Sequence, residues 1–291
     1  MSDDTSAFLR RTRIATWFAV VSIGALARRS PTSARAIVFP IVATIGIAHG
    51  ATDDAMLARA GIRPRGGRAT ISLAYGTLAV ATFALARRNP RLASRALALV
   101  SHLHFGCGDA AFARACGSAI DMRVGAFVRG ALPLWIAGTG ARSRAVAALA
   151  TVIAARHALR GRSADALDLV LPSALLLAIP PRLGFAIYFA AWHSVRHTAL
   201  VIARDARGGD PFARAGRFAW ESAPNVAIAI GVAALAFAWE RANARRAGAA
   251  DRLASADTEA IAGALILAIT VPHEIAVRAL ERRAQRERFS T

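Results

Sequence analysis

LGFAIYFAAWHSVRHTALVIA, residues Leu183–Ala203, is apolar from end to end except around His193, Arg196 and His197. A helix rises about 1.5 Å per residue, so a stretch of this length can cross the ~30 Å hydrocarbon layer of a bilayer. Water does not reach the backbone there, and a single segment can satisfy its own N–H and C=O groups only as a helix. Upstream, Pro180-Pro181-Arg182 separates this stretch from another apolar run, Leu167–Ile179, which predicts a tight helical hairpin at a membrane face.

Working outward, the same pattern recurs about ten times. The other runs are Ile14–Ala27, Ala36–His49, Ala69–Ala86, Ala96–Phe112, Val124–Gly138, Ala145–Ala155, Ala223–Trp239 and Ala260–Val277. A span needs about 17 to 25 residues, so the fifth, sixth and seventh runs must borrow flanking residues or tilt. The expected fold is therefore all-α: a polytopic transmembrane bundle of eight to ten helices over residues 1–291, a single transmembrane domain with no soluble one. Abundant Ala and Gly favour close helix packing, and a β-barrel is excluded by the long unbroken apolar runs. Met1–Thr12 is acidic at its start and no small-residue cleavage site follows the first run, so that run reads as a retained span.

The 291 residues are 55% hydrophobic and carry a formal charge of +19. On a soluble protein that charge would suggest nucleic acid; here every basic residue is Arg, clustered between apolar runs at Arg28-Arg29, Arg87-Arg88, Arg245-Arg246 and Arg282-Arg283. Arg so placed meets lipid headgroups and fixes topology, so no nucleic-acid partner is expected. A modest Arg excess on the side of both termini points to cytoplasmic termini in a cell (inner) membrane. Cys107 and Cys116 have no metal spacing with another Cys and read as free thiols.

The histidines carry the chemistry. Of seven, His49, His102, His104, His193, His197 and His273 fall inside or at the end of apolar runs, and His157 falls in an Arg-rich loop. Ionisable groups in lipid are expensive and usually serve a pathway, a pair or a metal. His193 and His197 are four apart, one turn along a helix face, where one ion can bind both. His49, His104, the 193/197 pair and His273 all lie on even-numbered runs, which cross the membrane in one direction, at comparable depth. One shared site is geometrically possible. Asp53, Asp109 and Glu274 stand near these histidines in sequence and could accept the second ring N–H of a ligand imidazole, acting behind the ligands together with His273. An all-imidazole set suits iron or copper better than magnesium or calcium, and zinc remains open.

Four segments, Ala48-His49-Gly50-Ala51-Thr52-Asp53, Leu103-His104-Phe105-Gly106-Cys107-Gly108-Asp109, Trp192-His193-Ser194-Val195-Arg196-His197 and Pro272-His273, resemble in content and order the Brp/Blh family of β-carotene 15,15′-dioxygenases. The resemblance implies a multi-spanning membrane protein with a non-haem Fe(II) held by four histidines, here His49, His104, His193 and His197, and no catalytic residue beyond them. It further implies β-carotene or a related carotenoid and O₂ as substrates, central cleavage, and retinal as a product that a rhodopsin could receive. Phe105, Tyr188, Phe189 and Trp192 are the aromatics placed to pack along a polyene. Ala48 and Asp54 depart from the family's usual residues, and His102 is an extra imidazole pointing to another face than His104.

Two other classes compete. A membrane di-iron desaturase or hydroxylase also uses HxxxH pairs but normally needs eight or more paired histidines. A transporter or assembly protein would use buried histidines to relay protons or metal.

Overall fold

The computed structural model describes residues 3–46, 48, 50, 52–59, 62, 67–119, 121–136, 141–205, 207–246, 266–280 and 282. Among them every regular element is helical, and no strand occurs.

In chain order the helices are α1 (Asp3–Arg29), α2 (Pro31–Ile41), α3 (Asp53–Arg59), α4 (Gly67–Arg88), α5 (Pro90–Ala115) and α6 (Met122–Ala131). They continue with α7 (Ala141–Leu159), α8 (Ser163–Ala178), α9 (Pro181–Ile187), α10 (Val195–Ala203), α11 (Pro211–Arg246) and α12 (266–280). Among the described residues each apolar run of the sequence falls on a helical stretch; 47, 49, 137–138 and 260–265 lie outside them. Among the described helices only α3, seven residues long, answers to no run. His157 sits in the last turn of α7, buried, instead of in a loop.

Local chemistry explains where these helices start. Asn89, Asp121 and Asp210 each accept backbone N–H groups of the turn that follows, and Ser30 accepts from Ser33 N. Those side chains satisfy donors that have no partner inside the helix. Pro31, Pro90, Pro181 and Pro211 occupy the first helical position, where the missing N–H costs nothing. The α7–α8 hairpin closes through Gly161 at φ +71°, a left-handed conformation suited to glycine at a helix end.

Among the described residues three π-helical segments interrupt the pattern: Val42–Gly46 after α2, Leu132–Ile136 after α6, and Tyr188–Ser194 between α9 and α10. Proline accounts for the first two. Pro40 and Pro133 lack the N–H a regular helix needs, and Thr44 Oγ1 donates to the Pro40 carbonyl at 2.7 Å. No proline lies in the third, which carries Trp192 and His193.

The chain forms two compact units, Met1–His49 with Ser101–Trp220, and Gly50–Val100 with Glu221–Thr291. In the first, α1 packs along α8 and α10, and α7 packs along α8. Its core gathers Phe105, Leu132, Leu169, Ile187, Tyr188 and Trp192. In the second, Ala86 and Leu267 anchor a smaller cluster, and Tyr75 Oη donates to the Ile269 carbonyl at 3.3 Å.

One helix among the described residues, Ala69–Arg88, is long and apolar enough by itself to cross a membrane. Proline lies inside α2 and α8, and α1 carries charge at Arg10, Arg11 and Arg13.

Candidate metal centre

His104 on α5 and His193 and His197 on the segment from Tyr188 to Ala203 come together inside the first unit. Ring centroids lie 4.9 Å apart for His104 and His193, 5.8 Å for His104 and His197, and 5.9 Å for His193 and His197. Nε2 of His193 is 3.1 Å from Nε2 of His104. His193 is fully buried.

Asp109 sets the direction of this cluster. It lies on α5, five residues beyond His104, yet it serves the other helix: His193 Nδ1 is 3.0 Å from Oδ1, while Tyr188 Oη and Trp192 Nε1 both donate to Oδ2 at 2.9 Å. The π-helical turn makes this possible. Its wider winding lets residues 188, 192 and 193 face one carboxylate, which a regular turn would spread over a broader arc. An ionised carboxylate only accepts, so His193 holds its proton on Nδ1 and turns the Nε2 lone pair toward His104.

Among the described residues no three His, Cys, Asp or Glu side chains close on a single point as they would around an ion. The donors nevertheless fit one. Two imidazole nitrogens at about 2.1 Å from one ion stand about 3 Å apart at a right angle and about 3.4 Å apart at a tetrahedral one, a range that holds the His104–His193 separation of 3.1 Å. Gly108 keeps the space open: a Cβ there would lie 3.0 Å from His193 Cε1 and 3.5 Å from His197 Nδ1. Three neutral imidazoles with one carboxylate behind them form a nitrogen set suited to iron, copper or zinc.

The remaining expected residues are placed as follows. His49 lies outside the described residues. His273 and Asp53 belong to the second unit, where His273 Nδ1 is 2.7 Å from Asp53 Oδ2 and a Cβ on Gly50 would lie 3.1 Å from the ring. Glu274 receives Arg278 Nε at 2.7 Å, one turn along its own helix. His102 is half-buried and edge-on to Phe127. Phe105 meets the His193 ring at 4.7 Å, and Phe189 is only partly buried, stacked on Phe185. Tyr188 and Trp192 are buried with their polar atoms committed to Asp109, so their first role is to orient that carboxylate.

Sequence reasoning passed over a second buried polar group beside this one. Asp168 on α8 accepts four bonds: Arg13 Nε (3.1 Å) and Nη2 (2.8 Å), Trp17 Nε1 (2.8 Å) and Arg196 Nη2 (2.9 Å). Arg13 also reaches Asp165 at 2.8 Å, and Arg129 stands 3.9 Å from Asp168. Arg196 is thus held by Asp168 and Thr16. The signal was available: Asp168, Arg129 and Arg196 are charges inside apolar runs.

Fold and site together define an all-helical protein with a buried histidine cluster braced by a carboxylate. The profile of the β-carotene 15,15′-dioxygenase family matches residues 40–145 and 136–281, and the chain belongs to that family. A probable β-carotene 15,15′-dioxygenase, Blh, of Halobacterium salinarum is 34% identical over 103 residues, covering 33% of this chain. The chain spans 30% of the length of that curated relative. No solved structure matches.

Proposed function

We infer that the protein is a membrane-embedded non-haem Fe(II) dioxygenase that cleaves β-carotene, or a related carotenoid, with O₂ at the central double bond to give retinal. The observation that carries this reading is the convergence of His104, His193 and His197 around the Asp109 brace. His49 is the fourth proposed ligand. A ferrous ion in this set would supply the redox centre that O₂ chemistry needs, since no side chain here can do so.

The chain's own residues do the rest. Asp109 keeps the proton of His193 on Nδ1 and so aims Nε2 inward. Phe105, against the His193 ring, and the partly buried Phe189 offer apolar faces on which a polyene can lie. Substrate placement along such faces sets which double bond lies nearest the reacting centre. Water is kept out by the buried packing around Tyr188 and Trp192. The hydrocarbon substrate reaches the site from the bilayer, where it dissolves; the membrane assignment rests on the ten apolar runs and the Arg between them.

The test is expression in carotene-producing bacteria with and without His193→Ala. The native chain should bleach the pigment and yield retinal, and the variant should lose both metal and cleavage. Unchanged pigment with the native chain would favour a transporter or assembly role for the same histidines.

A further inference from the structure

The buried group around Asp168 is larger than helix packing requires. Arg13, Arg129 and Arg196 bring three positive charges, and Asp165 and Asp168 two negative ones, all below 7% exposed. Apolar side chains would hold α1, α6, α8 and α10 together as well as charges whose burial is costly. Charges add direction, and here the direction leads to the histidines.

Arg196 lies between His193 and His197. Asp168 accepts its Nη2 at 2.9 Å, Thr16 Oγ1 accepts its Nε at 2.9 Å, and its guanidinium carbon stands 3.4 Å from the centre of the Trp192 ring. Fixed at two atoms, the planar guanidinium forms a plate against the indole. Trp192 in turn donates Nε1 to the oxygen of Asp109 that also takes Tyr188, while the other oxygen faces His193 Nδ1. Each link is a directional contact between buried groups, so a tilt at Asp168 passes to the Asp109 carboxylate.

We propose that Asp168 is a positioning residue for His193, acting through Arg196, Trp192 and Asp109 to fix which ring nitrogen faces His104. The proposal rests on the histidines being the metal ligands only for its catalytic meaning; the positioning itself is a property of the metal-free chain.

The experiment uses the full chain in lipid nanodiscs with ¹⁵N-labelled histidine. NMR of the metal-free protein reads the His193 tautomer, assigned by its loss in His193→Ala, and Co(II) titration reads affinity. Native protein should show His193 protonated on Nδ1. Asp168→Asn should mix in the second tautomer and weaken Co(II) binding about 10- to 100-fold, the range for groups behind metal ligands. Arg196→Lys keeps the charge facing Asp168 but loses the plate, should act alike, and decides the matter if Asp168→Asn does not fold. Asp165→Asn breaks an Arg13 ion pair in the same group without touching Arg196 and should leave His193 unchanged. The proposal is overturned if His193 keeps its native tautomer in the folded Asp168 and Arg196 variants, or if Asp165→Asn disturbs it equally. Should native protein bind no Co(II) while the tautomer still shifts, the metal reading falls and the positioning role stands.

Discussion

Asp109 is the residue on which the candidate centre turns, because one carboxylate receives three donors from a single helical segment. Asparagine there offers one acceptor oxygen and an N–H pair, so Tyr188, Trp192 and His193 can no longer all donate to it. A stranded buried donor costs about 1–3 kcal/mol. Asp109→Asn should therefore lower thermal stability and, with the His193 tautomer no longer fixed, weaken iron binding about 10- to 100-fold. Metal titration of the purified variant checks this, and native affinity would remove Asp109 from the account. Its partnership was half legible in the sequence: an acid near His104 suggested a brace, but the spacing of five pointed at the wrong helix. Which ring an acid meets depends on the facing helix, and sequence distance does not encode that.

At the scale of elements, the close approach of α5 and α6 sets the level of His104. A Cβ on Gly106 would collide with the Ala126 carbonyl, and one on Gly130 with the His102 carbonyl. Gly130→Ala must push the helices apart, at about 1–3 kcal/mol or more, and should reduce bound iron by displacing His104. Gly76→Ala, with open space around its Cβ, is the control: it should leave bound iron unchanged and, through helix propensity, raise stability by up to about 1 kcal/mol. Thermal midpoints and iron content report the contrast; equal behaviour of the two variants would refute a tight crossing. The loop before α11 carries a pH-dependent contact of its own. Arg207, through its side chain and backbone, and then Arg217 hold the Asp205 carboxyl well below its usual range. A depressed value means stability that is present above the unfolded pKa of about 4 and lost as pH falls through the lower folded value. The stability difference between the native chain and Asp205→Asn should thus be full at pH 6 and shrink below about pH 4, as thermal melts over that range would show. A difference constant with pH would mean the ion pair contributes nothing.

For the molecule as a whole, the proposed function calls for one redox ion per chain. Metal analysis of protein purified from the membrane fraction after alkaline carbonate washing should give one iron per chain. Two irons would favour a di-iron hydroxylase, and release by carbonate would contradict a membrane-spanning chain. The helical class and the ten apolar runs were readable directly from the sequence, because hydrophobic period and run length are local properties. So was the position of His104, His193 and His197 as ionisable rings inside apolar runs. Only tertiary structure assigned Asp109 to His193, Asp53 to His273 and Arg196 to Asp168, and turned Tyr188 and Trp192 inward. The π-helical turn over Tyr188–Ser194 rotates those side chains away from the register a regular helix would give, and each partner arrives from a helix distant in the chain. Local pattern fixes what a segment becomes; which polar groups pair depends on how packed helices satisfy every buried donor at once.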